Sequence, residues 1–332
     1  MYQVEIRENE AGQRLDKFLH KFMPLAPSSF FYKMLRKKNI TLNGKKAEGK
    51  EKLSIGDTLS FYLSEETMKG FQKENELHNK SIYNEYEKAF KELEGILILY
   101  EDPHVIIMNK PAGILSQKAK PEDVSLNEWM IGYLLAGGFT NAQQLSTFKP
   151  SICNRLDRNT AGIVIGAKTL AGSQKMNELI SKRCIRKFYR MLVKGHVQKE
   201  ETLEGYLLKD EKSNKVRLVK KEESGKASYI KTRYYPIREF VDRTLVEAEL
   251  ITGKTHQIRV HLASTGHPLL GDYKYGDRKW NDKYKGLYHI NSQLLYASRL
   301  EFPKLKMPFD RLSALVIEAP VPETFLKLNS IP

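Results

Sequence analysis

Phe31, Met34 and Leu35 recur at i, i+3 and i+4, the spacing that gathers apolar side chains onto one stripe of a helix. Lys33, Arg36, Lys37 and Lys38 crowd its remaining faces. Ile40 and Leu42 then alternate as in a short strand, and Asn43-Gly44 is a two-residue hairpin signal. A further strand is expected over residues 58–63, after Ile55-Gly56-Asp57. The pattern lapses over residues 65–94, which read as a charged linker, partly helical around 83–93 and carrying no chemistry. Beyond it, short runs rich in β-branched residues predict strands at 96–99, 105–108, 163–167, 190–193 and 245–250. Residues 170–185 read as a helix between two of them. Strands and helices mixed through 95–332 suit one large domain better than two small ones.

Charge changes this picture. Lys and Arg total 55 against 40 acids, a net charge of +15. The excess favours a polyanionic partner, although the total alone fits a merely soluble basic surface equally well. Its placement is more telling: eight Lys or Arg against two Glu lie between Ser28 and Lys52. Residues 65–94 reverse the balance, with eight Glu and five Lys. No segment approaches the roughly 20 apolar residues of a membrane span, and Met1-Tyr2-Gln3-Val4 does not open a signal peptide. Cys153 and Cys184 make neither a disulfide framework nor a CxxC zinc pair. The expectation is a cytoplasmic, reduced protein without metal or cofactor, since Walker, Rossmann and metal motifs are also missing.

Two stretches place polar chemistry beside apolar runs. In Cys153-Asn154-Arg155-Leu156-Asp157-Arg158-Asn159-Thr160-Ala161-Gly162, an extended backbone projects Arg155 and Asp157 together while Leu156 packs inward. Residues 159–162 have turn chemistry and precede Ile163-Val164-Ile165, which must be buried. From spacing alone, an Asp–Arg pair capping a turn is as good a reading as a reactive carboxylate. In Thr252-Gly253-Lys254-Thr255-His256-Gln257-Ile258-Arg259-Val260-His261-Leu262, Thr255 is a candidate N-cap and Ile258, His261 and Leu262 a buried stripe. Gly266 suits the position after the helix, and Pro268 stops its continuation. His256 and Arg259, three apart, would share a face. His256 and His261 lack a HExxH frame, so no metal site is expected. A surface-paired or buried Arg259 is the plain alternative.

Together the motifs carry a family resemblance. Arg14-Leu15-Asp16-Lys17-Phe18-Leu19, the basic helix and Ile40-Thr41-Leu42-Asn43-Gly44-Lys45 resemble an S4 RNA-binding domain over residues 1–64, with its core at 12–64. That likeness implies Arg14, Lys17, Lys33, Arg36, Lys37 and Lys45 as phosphate contacts. The Asp157 segment, Asn109-Lys110-Pro111-Ala112-Gly113, Lys187-Phe188-Tyr189 and residues 252–262 with Gly271-Asp272-Tyr273 resemble, in order, the RluA/RluC/RluD family of pseudouridine synthases. The family usually has His where this chain has Asn154, and Ser or Thr where it has Ala161.

The resemblance implies an α+β protein: the small S4-like domain, the linker at 65–94, and a catalytic domain at 95–332 on a mostly antiparallel sheet. It implies isomerisation of uridine to pseudouridine in structured RNA, ribosomal RNA ahead of transfer RNA, by a monomer that needs no metal. Asp157 would start glycosidic cleavage, Arg259 would keep it ionised, Tyr189 would stack on the flipped base, and Arg155 would fill its gap or hold phosphate. Burial alone would favour a neutral carboxyl. A cation at about 4 Å opposes that with about 4 kcal/mol of gross attraction at an effective dielectric near 20. Two other readings stand beside this one. The first is a catalytically silent RNA-binding or ribosome-assembly protein that kept the fold, motivated by Asn154 and Ala161. The second is a metal-dependent nuclease, for which no clustered acidic ligand set is present.

Overall fold

The computed structural model describes residues 1–7, 9–71, 76–210, 215–221, 225 and 227–330. The N-terminal part is a four-stranded antiparallel sheet, in spatial order Tyr2–Glu5, Thr58–Phe61, Ile40–Leu42, Lys45–Lys46. Helices Leu15–Phe22 and Ser28–Arg36 cover it. The expected stripe of Phe31, Met34 and Leu35 is buried, together with Phe18, Leu59 and Phe61. Asn43 and Gly44 both take positive φ, 50° and 72°, as a two-residue hairpin with the right twist requires.

The stretch read as a polar linker is helical over Glu65–Phe71 and Glu76–Glu92. Tyr86 and Ala89 are buried, with Phe90 and Leu93 packed beside them, against helix Leu126–Ala136. These four fall at i, i+3, i+4 and i+7, so this segment carries an apolar face of its own. The two helices touch at Gly132, where any side chain would overlap the Tyr86 carbonyl.

Residues from 97 onward build the 11-stranded sheet. Its path runs Lys215–Val219, Glu201–Asp210, Ser228–Glu239, Arg243–Leu250, Arg186–Lys194, Leu295–Glu301, Ala161–Ala167, Val105–Lys110, Leu97–Glu101. Val316–Glu318 and Ser151–Ile152 pair at its side. Among the described residues every pairing between the strands of this sheet is antiparallel except that of Ala161–Ala167 with Leu295–Glu301. At this junction Gly162 has φ 108°, and a Cβ there would overlap the Ala297 backbone.

Val105 and Ile107 face one core, with Met176 and Leu179 of helix Leu170–Ser181. Ile106 and Met108 face the other, with Trp129, Met130, Ile258 and Leu262. A strand covered on both faces has no polar side, which explains its unbroken apolar run. Strand Arg186–Lys194 extends beyond the expected 190–193, and the charge that opens it is paired across the sheet: Arg186 Nε donates to Glu249 Oε1 at 2.8 Å and its Nη1 to Glu301 Oε2 at 2.6 Å. Among the described residues no helix is long and apolar enough to cross a membrane.

Candidate active site

Asp157 stands on a tight turn before strand Ala161–Ala167, with the Thr160 N–H donating to its carbonyl at 3.0 Å. The turn is centred on Arg158 and Asn159, two residues earlier than expected. Leu156 packs inward, and its backbone is held at both ends by Ser116: Leu156 N–H donates to Ser116 Oγ (3.0 Å), and that hydroxyl donates to the Leu156 carbonyl (2.8 Å). Lys110 is fully buried and donates to the carbonyls of Pro111 (3.0 Å), Ile114 (2.8 Å) and Arg158 (3.0 Å). Burial pushes its pKa down to about 7, and the Asp157 charge opposes this. Three carbonyls also match the three N–H donors of an ammonium. Lys110 thus ties the Lys-Pro loop to the Asp157 turn.

Asn154 has a backbone role. Its Oδ1 accepts the Ile165 N–H at 2.8 Å, and its Nδ2 donates to the Ile163 carbonyl at 3.4 Å. The side chain replaces strand hydrogen bonds where the chain leaves the sheet.

Arg259 comes from helix Gln257–Ser264, on the far side of the cavity. Thr255 is not its N-cap. That position belongs to His256, which has left-handed φ 55° and makes no side-chain cap bond. Gln257 secures the loop instead: its Oε1 accepts from Thr252 Oγ1 (2.9 Å) and Lys254 N–H (3.1 Å), and its Nε2 donates to Thr232 Oγ1 (2.9 Å). Arg259 is buried and bound bidentately by Asp272, at 2.7 Å from Nε and 2.8 Å from Nη2. The third nitrogen, Nη1, reaches Asp157 Oδ2 at 3.4 Å. The pair therefore joins residues 102 apart and is no local turn cap. Asp272 also accepts the N–H groups of Lys274 (2.9 Å) and Tyr275 (3.1 Å). Its carboxyl lies below the usual range: burial, the largest influence, would raise it, and the hydrogen bond and charge of Arg259 outweigh that.

Asp157 and Arg259 line an open cavity of about 620 Å3, with Tyr189, Arg155, Lys187 and His256 on its walls. Asp157 is 30% exposed into it. Tyr189 is buried, and burial followed by the Asp157 charge pushes its hydroxyl pKa up, so the phenol stays protonated. Arg155 is exposed at the rim. Among the described residues no group of three or more His, Cys, Asp or Glu is placed to hold a metal.

The chain is 31% identical to the ribosomal large subunit pseudouridine synthase C of Vibrio vulnificus, over 98% of this chain and 94% of that protein. The family model described as RNA pseudouridylate synthase matches residues 104–264. This chain belongs to the RNA pseudouridylate synthase family. Its Haemophilus influenzae and Escherichia coli relatives of the same name are 32% and 29% identical, over 91% and 90% of this chain and 87% and 88% of theirs. In fold it resembles the human RNA pseudouridylate synthase domain-containing protein 4, with TM-score 0.57 and 22% identity, over 74% of this chain and 95% of that one.

Around the family's core, Lys17, Lys33, Arg36, Lys37 and Lys45 are exposed and make no ion pair among the described residues. Arg14 differs, since Asp16 binds it bidentately, at 3.1 Å from Nε and 2.6 Å from Nη2. Sequence reasoning gave no role to Lys110, Ser116, Asp272 or Tyr275; it placed His256 on a face with Arg259 and expected no metal there. Lys110 and Asp272 lay within the stretches that carry the family resemblance, and Lys110 is also a charge at the end of the apolar run 105–108. The linker helix also reaches the cavity, through Glu85, which pairs with Lys118 on its wall at 2.7 Å.

Proposed function

We propose that this enzyme isomerises uridine to pseudouridine in large-subunit ribosomal RNA, and that the Asp157 carboxylate starts cleavage of the N1–C1′ bond. The observation that carries the reading is the state of that carboxylate. It opens into a cavity of about 620 Å3, within the range of small-ligand sites, and Arg259 reaches one of its oxygens. Asp272 neutralises Arg259 on its buried side, so the guanidinium offers Asp157 an oriented N–H rather than a mobile charge.

A uracil stacked in RNA is out of reach, so the base must be extruded at a cost of a few kcal/mol. The Tyr189 ring on the cavity wall offsets part of that cost by stacking. Exposed Arg155 at the rim fills the vacated stack or holds a phosphate. Residues 1–64 act as an S4-like RNA-binding domain, with Lys17, Lys33, Arg36, Lys37 and Lys45 on phosphates. Arg14 orients Asp16 and contributes less. The names of the relatives support the choice of large-subunit RNA. The test is to map pseudouridine in ribosomal RNA with the gene present, deleted and restored. The reading expects one or more large-subunit positions to lose the modification on deletion. An unchanged map contradicts it.

A further inference from the structure

The Tyr275 hydroxyl determines which nitrogen of His256 carries the proton. Its oxygen accepts the Val216 N–H at 3.0 Å and lies 2.9 Å from His256 Nδ1. A hydroxyl has one proton to give, and among the described residues Nδ1 is the acceptor within reach. His256 Nδ1 therefore accepts, and the imidazole proton sits on Nε2. The opposite tautomer would leave the Tyr275 O–H without an acceptor, at about 1–3 kcal/mol, and turn the Nε2 lone pair toward a carboxylate. Burial pushes the pKa of His256 down to about 4; Asp157 and Asp272 oppose this, while Arg259 and Lys274 add to it. The ring is neutral at physiological pH.

Nε2 lies 3.7 Å from Asp157 Oδ2, the same oxygen that Arg259 Nη1 reaches at 3.4 Å. Asp157 Oδ1 accepts no side-chain hydrogen bond among the described residues. The backbone supplies a second observation. His256 holds φ 55°, a left-handed conformation that costs an L-residue roughly 1–2 kcal/mol. Here it sets the ring between Tyr275 and Asp157.

We propose that His256 is a positioning residue for the isomerisation: Tyr275 locks it as the Nε2–H tautomer, and with Arg259 it aims that N–H at one oxygen of Asp157, leaving the other oxygen to react. The proposal rests on the reading of Asp157 as the reacting carboxylate.

Two variants separate this role from a structural one. His256→Asn suits the left-handed backbone and can meet Tyr275, but it ends short of Asp157. His256→Gln suits the backbone less well, yet it can present an amide N–H where Nε2–H stood. Single-turnover rates and Kd are measured on a ribosomal RNA fragment containing the target uridine. At 3.7 Å the Nε2–H makes a charge–dipole contact longer than a formed hydrogen bond, so the Asn variant should turn over roughly 3- to 10-fold more slowly than Gln, with RNA affinity unchanged. A structural role gives the reverse order, and that order overturns the proposal.

Nitrogen NMR of the wild-type enzyme reads the tautomer without reference to activity, with the His256 signals assigned by their loss in His256→Asn. The Nε2–H form is expected at neutral pH, with Nδ1–H appearing in Tyr275→Phe. An Nδ1–H form in the wild type overturns the proposal. Asp157→Ala in the same assay keeps the two readings apart: turnover there defeats the reading of Asp157, whereas the tautomer and the order of the His256 variants decide this one.

Discussion

Asp272→Asn removes a charge that never meets the cavity. Asp272 is 1% exposed, and its Oδ1 accepts from Arg259 Nη2, Lys274 N–H and Tyr275 N–H, while Oδ2 accepts from Arg259 Nε. An asparagine oxygen would take the three-donor position, which sets its NH2 against the Arg259 Nε–H. One charge-assisted bond is lost, and a buried guanidinium keeps a single partial counter-charge, Asp157. Removing a partner from a buried pair costs about 3–5 kcal/mol; with the amide retaining one of the two contacts to Arg259, roughly 2–4 kcal/mol is expected here. Part of that appears as lost stability and part as misorientation of Nη1 against Asp157. If about 2 kcal/mol falls on the reaction barrier, turnover drops roughly 30-fold. The assay pairs urea unfolding with single-turnover pseudouridine formation at saturating enzyme, and RNA affinity serves as the control. Turnover within twofold of wild type and an unfolding free energy unchanged within 0.5 kcal/mol would refute the assignment of Asp272 as the anchor of Arg259.

Gly162→Ala places a methyl on the Ala297 backbone at the parallel junction and strains a φ of 108°. Strain and overpacking together should cost about 2–5 kcal/mol in urea unfolding, with a loss of turnover because the Asp157 turn leads into this strand. His261 is buried, with Nδ1 on Thr232 Oγ1 at 2.9 Å, and burial lowers its pKa from 6.5 to about 4. Below pH 6.5 the unfolded chain takes up a proton that the folded one refuses. Stability should therefore fall as pH drops from 6.5 to 4, by at most about 3 kcal/mol for this group. His261→Leu should flatten that slope in chemical unfolding across the window. In the N-terminal sheet domain, Lys33→Ala with Lys37→Ala should weaken RNA binding and reduce the salt dependence of log Kd by about 1.5, leaving turnover of bound RNA intact.

Much of the fold was readable because local periodicity and burial agreed. The stripe of Phe31, Met34 and Leu35 and the Asn43-Gly44 hairpin need only their own neighbours in sequence. Residues 65–94 were read as a charged linker, partly helical around 83–93; the packed face of helix Glu76–Glu92 was missed because Glu and Lys between Tyr86, Ala89, Phe90 and Leu93 diluted a spacing that was nevertheless present. The strand expected at 190–193 runs from Arg186, a charge whose partners Glu249 and Glu301 lie on neighbouring strands far along the chain. In the site, Asp157, Tyr189 and Arg259 were singled out by motif. The supports of the site were not, because each acts through partners distant in the chain. Lys110 meets the Arg158 carbonyl 48 residues on, and Ser116 meets Leu156 40 residues on. No periodicity encodes such meetings; only the folded sheet brings them together. Asn154, where the sequence departs from its family, proves to pair with the backbone of Ile163 and Ile165.

The central claim is that the Asp157 carboxylate starts the cleavage, and Asp157→Ala tests it most directly. Asp157 is partly exposed on a turn held by Lys110, Ser116 and Thr160, so the variant should fold and bind RNA as the wild type does. Pseudouridine is measured at the target uridine of a large-subunit ribosomal RNA fragment, with Kd determined on the same RNA. The account predicts wild-type affinity and no detectable pseudouridine. Pseudouridine formed by Asp157→Ala at a rate near that of the wild type would contradict it.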